Sequence, residues 1–408
     1  MNVIQSSSYR VPRQFKAAME SDPKLGPWPF YDDDEVKAAS RVLQSGRVNY
    51  WTGEEGRKFE NEYAAHCGVD HGLAVANGTL ALELALAGLG IGPGDEVIVP
   101  ARTFIATASA VAMRGAVPIV ADIDPNSQNM TAETLAAALT SKAKAVIPVH
   151  LAGWPADMPS IMAVAKDRDL KVIEDCAQAH GAKIDGKTVG SFGDIGCFSF
   201  CQDKIISAGG EGGMVVTNDQ ALYQKMWSHR DHGRDFKKSH TPSSEPGFKW
   251  VASTFGTNMR LTEPQSAIGR IQLKKLARWT AMRRANADVL REALKSLSVV
   301  TIPEPADNFG HAYYKFCGLF DDAAFKPDWS RDRICNELDK IGVPARVGAC
   351  PDISREAAFS SDQKQPPHPN AKSIENRTFM LPVHPTLSAE NLAFIADGFC
   401  RVVKGAIR

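Results

Sequence analysis

Apolar residues along this chain follow two alternating patterns. From about Asp34 to Asp219, stretches with an apolar period of about 3.6 residues, the spacing of one helix face, alternate with short runs that are apolar at nearly every position. These runs are Leu73-Ala74-Val75-Ala76, Val97-Ile98-Val99, Pro118-Ile119-Val120, Ala145-Val146-Ile147-Pro148-Val149, Val172-Ile173, Cys197-Phe198-Ser199-Phe200 and Gly213-Met214-Val215-Val216. A strand that is apolar throughout is buried on both faces, and such strands, when helices separate them, form parallel sheets. The pattern predicts an α/β fold built on a mainly parallel seven-stranded sheet. Ligands of such sheets sit beyond the carboxyl ends of the strands.

Past this block the chain turns polar between Arg234 and Trp250, with Ser, Lys, Pro and His, which reads as an exposed loop near the site. A long helical pattern from about Glu263 to Leu297, dense in Arg and Lys on one side, leads into a smaller α+β domain. That domain has a strand expected over Tyr313–Phe320 and a closing amphipathic helix from about Ser388 to Val403. The first residues carry several prolines and little periodicity, as expected of an arm lying on another surface. The expected division is an arm over 1–33, a large domain over 34–262, and the long helix with the small C-terminal domain over 263–408.

Composition narrows the picture. With 408 residues, 44% hydrophobic and 23% charged, the chain has material for one large core and a satellite. Lys and Arg number 47 and so do Asp and Glu, so no overall field favours nucleic acid or an anionic membrane. An anionic ligand must be held by a local site. The N-terminus lacks a basic segment followed by an apolar one, and no run approaches the roughly 18 apolar residues of a membrane span, so a cytoplasmic location is expected. Eight cysteines are scattered, and Cys197 and Cys201 lack both Cys-x-x-Cys spacing and a companion pair. Reduced thiols are expected, and no metal site.

The candidate chemistry centres on Lys204. It lies between the run Gly196–Phe200 and the cluster Gly209-Gly210-Glu211-Gly212-Gly213. A partly desolvated lysine loses its proton more readily and can form a Schiff base with a carbonyl, whereas an exposed one extends to solvent. Asp175 ends the run Val172-Ile173-Glu174, where it either caps the next helix or pairs with a pyridinium nitrogen. In Ala177-Gln178-Ala179-His180 either polar side chain can reach a ring oxygen, and a structural role is the alternative for His180. Asn77-Gly78-Thr79 opens a helical run, and helix N-terminal amides with a threonine hydroxyl make a phosphate site. Ser199 offers a second hydroxyl. Phe104, in Thr103-Phe104, either stacks on a flat cofactor or packs in the core. Gly256-Thr257-Asn258-Met259-Arg260-Leu261-Thr262-Glu263 opens the long helix, with Thr262 as its cap. Arg47, Arg234, Arg260 and Lys315 are candidates for holding a diphosphate, with solvation as the alternative. A nicotinamide enzyme would need Gly-x-Gly-x-x-Gly after the first strand, and the glycines from Gly88 to Gly94 lack that spacing.

The order of phosphate turn, aromatic, strand-end aspartate and lysine fits an enzyme of the aspartate-aminotransferase fold that uses pyridoxal 5'-phosphate (PLP). Glu174-Asp175-Cys176-Ala177-Gln178-Ala179-His180-Gly181, Gly190-Ser191-Phe192-Gly193-Asp194, and Phe198-Ser199-Phe200 with Lys204 and Gly210-Glu211-Gly212-Gly213 resemble the signatures of the DegT/StrS family of nucleotide-sugar aminotransferases. Pro148-Val149-His150 with Gly153, Gln265-Ser266-Ala267-Ile268-Gly269 and Leu381-Pro382 extend the resemblance over nearly the whole chain from about Asp33. It implies that Lys204 carries PLP as a Schiff base, Asp175 pairs with the ring nitrogen, and Gln178 lies near the ring hydroxyl. Phe104 or its neighbours stack on the ring, and Gly78, Thr79 and Ser199 bind the phosphate. Asn258 reaches that phosphate from a second subunit, which implies a homodimer with shared active sites. The implied reaction is ping-pong transamination through pyridoxamine phosphate, from L-glutamate to a nucleotide-linked keto-sugar such as a 4-keto-6-deoxyhexose, for surface polysaccharide or amino-sugar biosynthesis. A PLP-dependent dehydratase, an aminocyclitol-type aminotransferase or a non-catalytic regulator of the same fold are the alternatives. Cys201-Gln202-Asp203 before the lysine and the extra Gly209 depart from the family pattern.

Overall fold

The computed structural model describes residues 25–241, 251–359, 365 and 367–408. Most of the expected arm and the later part of the Arg234–Trp250 loop lie outside them. The strands in the first half of the chain are β1 (His71–Val75), β2 (Glu96–Pro100), β3 (Val117–Ala121), β4 (Ala143–Val146), β5 (Lys171–Asp175), β6 (Lys183–Ile184), β7 (Lys187–Thr188), β8 (Ile195–Ser199) and β9 (Gly213–Thr217). Four more follow: β10 (Val300–Thr301), β11 (Phe309–Gly310), β12 (Phe316–Phe320) and β13 (Thr378–Leu381).

Each of the seven apolar runs contributes one strand to a seven-stranded sheet, in the order β1-β9-β8-β5-β4-β2-β3. Neighbours from β3 across to β8 are parallel. β9 is antiparallel to both β1 and β8. The connection explains the exception. Parallel neighbours need a crossover, usually a helix, whereas segment 200–212 holds no helix and simply turns back, so that Ser199 pairs with Gly213. Lys204 lies in this turn, at the carboxyl end of β8.

Two expected strands are shorter in the structure. β4 stops at Val146, because Pro148 has no N–H to give a ladder, and Val149 keeps only an isolated bridge to Asp175. The expected strand Tyr313–Phe320 starts at Phe316, because Tyr313 takes a left-handed backbone with φ 49°. The small sheet β11-β6-β7 has strands of two residues each, too short to leave a periodic signal.

The C-terminal domain is built on the antiparallel sheet β10-β12-β13. Phe316, Phe320, Phe379 and Phe399 are wholly buried in its core. The closing helix Ala389–Ala406 begins where the Ser388 side chain accepts the Asn391 N–H at 3.2 Å. The long helix Glu263–Leu294 runs from the first unit to the second, placing Leu276 in one core and Leu290 in the other. No helix among the described residues is long and apolar enough to cross a membrane.

A segment of the C-terminal half returns to the edge of the main sheet. Asp122 accepts the Asn370 and Ala371 N–H groups at 2.9 Å each, at the start of the helix Pro369–Ile374. His368 bridges Asp352 (Nδ1, 2.9 Å) and the Val120 carbonyl on β3 (Nε2, 3.0 Å). Both ring nitrogens face acceptors, so the bridge is complete only in the doubly protonated imidazolium. Burial opposes that charge, but Asp352 and the Val120 carbonyl prevail and hold the His368 pKa above its ordinary value. Burial likewise opposes the Asp352 carboxylate, and His368 with Ser354 holds it below the usual range. A raised histidine contributes stability that is complete below its unfolded value and lost as pH rises through the folded one. A depressed aspartate contributes stability that is complete above its unfolded value and lost as pH falls through the folded one. The pair therefore contributes fully between roughly pH 4 and 6.5. His368→Gln is expected to lower stability by about 1–3 kcal/mol near that upper limit, the range for hydrogen bonds to charged groups. The gap from wild type should shrink as pH rises, and thermal unfolding against pH measures it.

Candidate active site

A cavity of about 780 Å³ opens beyond the carboxyl ends of β5 and β8. Its walls bring Asn77, Gly78, Thr79, Phe104, Asp175, Gln178, Ser199 and Lys204 together. These positions are far apart in the chain and meet because strand ends converge at one edge of the sheet.

Asp175 is the last residue of β5 and only 6% exposed. Its Oδ2 accepts the Thr107 hydroxyl at 3.0 Å and its Oδ1 the Ala177 N–H at 3.1 Å. Burial raises its pKa, and the two hydrogen bonds and nearby cations recover only part of the shift. A cation docked here would favour the carboxylate. The wall beside it is apolar or satisfied, with the Cys197 thiol directed to the Ala81 carbonyl at 3.4 Å.

At another corner Asn77 caps the helix Gly78–Leu89, its side chain accepting the Leu80 N–H at 2.9 Å. The first N–H groups of a helix have no acceptor within it, and Gly78 at this helix start packs against Ser199. A Cβ on Gly78 would lie 2.6 Å from the Ser199 Cβ and 3.0 Å from its Oγ. Glycine at this position lets the helix start close on the hydroxyl. The amide donors, the Thr79 and Ser199 hydroxyls and the helix dipole form a cradle suited to a phosphate dianion. The same helix ends at Gly90 with φ 78°, so the glycine-rich stretch is a helix stop.

The Gln178 carbonyl accepts the Ala152 N–H at 2.7 Å, which leaves its NH2 as the donor end in the cavity. Phe104 lines the cavity and is 68% exposed, so it is not a core residue. His180 proves structural. It lies behind Ser199, with Nδ1 2.7 Å from the Tyr63 hydroxyl and Nε2 2.7 Å from the Ser199 carbonyl. Burial drives its pKa down to about 3, so it is neutral, donating from Nε2 and accepting at Nδ1.

The Lys204 amine stands 3.5 Å from Asp203 Oδ1 and 3.5 Å from the Tyr314 hydroxyl, 4.9 Å from the centre of that ring. The Lys204 carbonyl accepts the Trp28 indole N–H at 3.2 Å. Sequence reasoning noted Asp203 only as a departure and placed Tyr314 in a strand. The one available signal for Asp203 was its adjacency to the lysine.

None of the four cations that are candidates for holding a diphosphate lines this cavity. Arg234 and Arg260 converge on the buried Asp231, and Arg234 also stacks 4.5 Å over Trp51. Lys315 packs 4.7 Å over the Tyr314 ring, and burial lowers its pKa. Arg47 is exposed near a separate surface hollow. Asn258 also lies outside the cavity, its side chain accepting the Arg260 N–H at 3.3 Å. Thr262 caps the long helix by position, but its hydroxyl goes to Gln265 at 2.7 Å.

The residues present fit PLP. The cradle suits its phosphate, Asp175 its ring nitrogen, Gln178 its ring oxygen and Lys204 its carbonyl carbon.

Residues 29–399 match the model of the DegT/DnrJ/EryC1/StrS aminotransferase family. The chain is 41% identical to a UDP-N-acetyl-3-dehydro-alpha-D-glucosamine 3-aminotransferase of Acidithiobacillus ferrooxidans, over 91% of this chain and 95% of the relative. It is 40% identical to a GDP-perosamine synthase of Caulobacter vibrioides, over 72% and 77% of the two chains. The solved aminotransferase from Psychrobacter cryohalolentis superposes with a TM-score of 0.91 at 44% identity, covering 94% of this chain and 99% of that one.

Proposed function

We propose that this chain, which belongs to the DegT/DnrJ/EryC1/StrS aminotransferase family and is a PLP-dependent sugar aminotransferase, moves an amino group from L-glutamate to a keto-hexose carried on a nucleoside diphosphate. The observation that carries this reading is the placement of Lys204 and Asp175 in one cavity with the Gly78–Ser199 cradle. Bound PLP supplies an electrophilic carbonyl and a ring that withdraws electrons from the carbon losing its proton. Lys204 would hold the group at that carbonyl, and its free amine takes the proton from the donor's α-carbon. Asp175 keeps the ring nitrogen protonated. The Gly78, Thr79 and Ser199 donors fix the phosphate and thereby the distance from Lys204. Ligand sites span about 300–1,000 Å³, so a cavity of about 780 Å³ has room for a sugar beside the cofactor.

Charge supports a second copy of the chain. Among the described residues, the cavity walls carry three carboxylates, Asp175, Asp203 and Glu211, against one cation, Lys204. A doubly anionic substrate needs cations from elsewhere, and Asn258 is exposed outside this subunit's own cavity. On this reading the enzyme is a homodimer with shared sites.

The relatives are named for sugars on different nucleotides, and both a 3-keto hexosamine and a 4-keto-6-deoxyhexose belong in the test. The holoenzyme is mixed with L-glutamate alone, and conversion of the cofactor to its amine form is followed by absorbance. UDP-, dTDP- and GDP-linked keto-sugars are then added and products identified by mass. Recovery of the starting spectrum with an amino sugar is expected. A dehydrated sugar, or no response to glutamate, overturns the reading.

A further inference from the structure

We propose that Asp203 is a further catalytic residue, which holds the Lys204 amine and stabilises its ammonium form while it carries the proton; the inference rests on Lys204 being that carrier. The geometry is a closed circuit of contacts. Asp203 Oδ1 stands 3.5 Å from Lys204 Nζ, and Asp203 Oδ2 accepts the Tyr314 hydroxyl. The Tyr314 carbonyl accepts Arg283 Nη1 at 3.2 Å, and the Arg283 guanidinium lies 4.7 Å over the Trp28 ring. The Trp28 indole N–H returns to the Lys204 carbonyl at 3.2 Å. Backbone and amine of the same lysine are thus held by one frame of side chains.

The chemistry of the parts assigns their roles. Burial pushes the Asp203 carboxyl up, but the Lys204 charge and the Tyr314 hydroxyl outweigh it and hold the group below the usual range. Asp203 is therefore a carboxylate near neutral pH. Burial raises the Tyr314 hydroxyl, and the Asp203 charge raises it further. Tyr314 thus stays a donor and cannot compete for the proton. At 3.5 Å the amine is paired with Asp203 without a short hydrogen bond, so it remains free to swing between the cofactor carbonyl and the donor's α-carbon. When it gains a proton it becomes a cation beside a carboxylate and over the face of an aromatic ring, and both favour it. Other titratable or charged groups of this site are Asp175 at the end of β5, Glu211 on the cavity wall, the neutral His180, Cys201 beside Tyr314, Lys315 and Arg283. Asp203 is the carboxylate in direct contact.

The test uses Asp203→Asn, with Asp203→Glu as rescue. In the holoenzyme, kcat is expected to fall about 100-fold, the cost typical of a misplaced reactive group, with KM for donor and keto-sugar little changed. The limb of the kcat profile that reports the proton carrier should move to lower pH. In cofactor-free protein, Lys204 should react faster with trinitrobenzenesulfonate in the variant than in wild type, read by peptide mass. Asp203→Glu should restore part of kcat and of the labelling rate. An unchanged pH profile and an unchanged labelling rate, with only a lowered melting temperature, would mean a merely structural role and overturn the proposal. Because labelling needs no cofactor and no turnover, it fails separately from the transamination reading, which falls on substrates alone.

Discussion

Lys204→Ala is expected to remove at least about 10⁴-fold of turnover while leaving the fold intact. Two losses combine. The amine is the group that exchanges at the cofactor carbonyl, and it is the base that moves the proton; proton transfer by a positioned side chain alone contributes about 10²–10⁴-fold. Stability should change by no more than about 1 kcal/mol, because the amine's contacts, with Asp203 and the Tyr314 hydroxyl, are long and partly exposed. Lys204→Arg separates charge from chemistry. It keeps a cation beside Asp203, but a guanidinium neither exchanges at a carbonyl nor gives up a proton near neutral pH, so it should be as inactive as alanine. Borohydride treatment of the wild-type holoenzyme should fix the cofactor's mass to the peptide bearing Lys204 and leave both variants unlabelled. Turnover retained by Lys204→Ala would sink the assignment.

Lys204 was legible in the sequence because its signal is local. An apolar strand run ends just before it and glycines follow, so the chain had to turn there. Asp175 and the Asn77-Gly78-Thr79 turn were legible for the same reason, each sitting at the boundary of a run. What could not be read were partners fixed by tertiary approach. Tyr314 meets Asp203 across 111 positions of sequence, and it does so because Tyr313 breaks the expected strand with a left-handed residue. No periodicity announces such a break. Arg234 and Arg260 are open to two readings in the sequence, diphosphate ligand or solvated side chain, and only the fold brings both to Asp231 outside the cavity. The seven-stranded sheet followed from unbroken apolar runs, but the direction of β9 depended on what segment 200–212 lacks, a crossover helix, and the apolar pattern says nothing of direction. His368 shows the same limit: its partners are a carboxylate sixteen residues away and a carbonyl on β3.

Asp175→Asn tests the other half of the site, and its expected effects have opposite signs in the two states of the protein. In the holoenzyme the substitution removes one member of a buried ion pair. Breaking such a pair costs about 3–5 kcal/mol, so a fall of roughly 10²- to 10⁴-fold in kcat is expected, with weaker cofactor binding. Without the cofactor the carboxylate is the liability. It is 6% exposed, and burial raises its pKa against the pull of Thr107 and Ala177. An aspartate with a raised folded pKa destabilises the fold once pH passes its unfolded value of about 3.9, and the loss is complete above the folded value. Asparagine has the same shape, keeps an oxygen for Thr107 or Ala177, and carries no charge to desolvate. The cofactor-free variant should therefore melt at or above the temperature of cofactor-free wild type at neutral pH, with the difference vanishing as pH falls through 3.9 or so. Melting of both forms with and without PLP, set beside kcat, measures the two effects on one substitution. A variant that loses stability without the cofactor, or keeps wild-type kcat with it, would show that Asp175 serves the fold and not the ring nitrogen. A residue that weakens the empty protein and is indispensable to the loaded one has the signature of a group placed for its ligand.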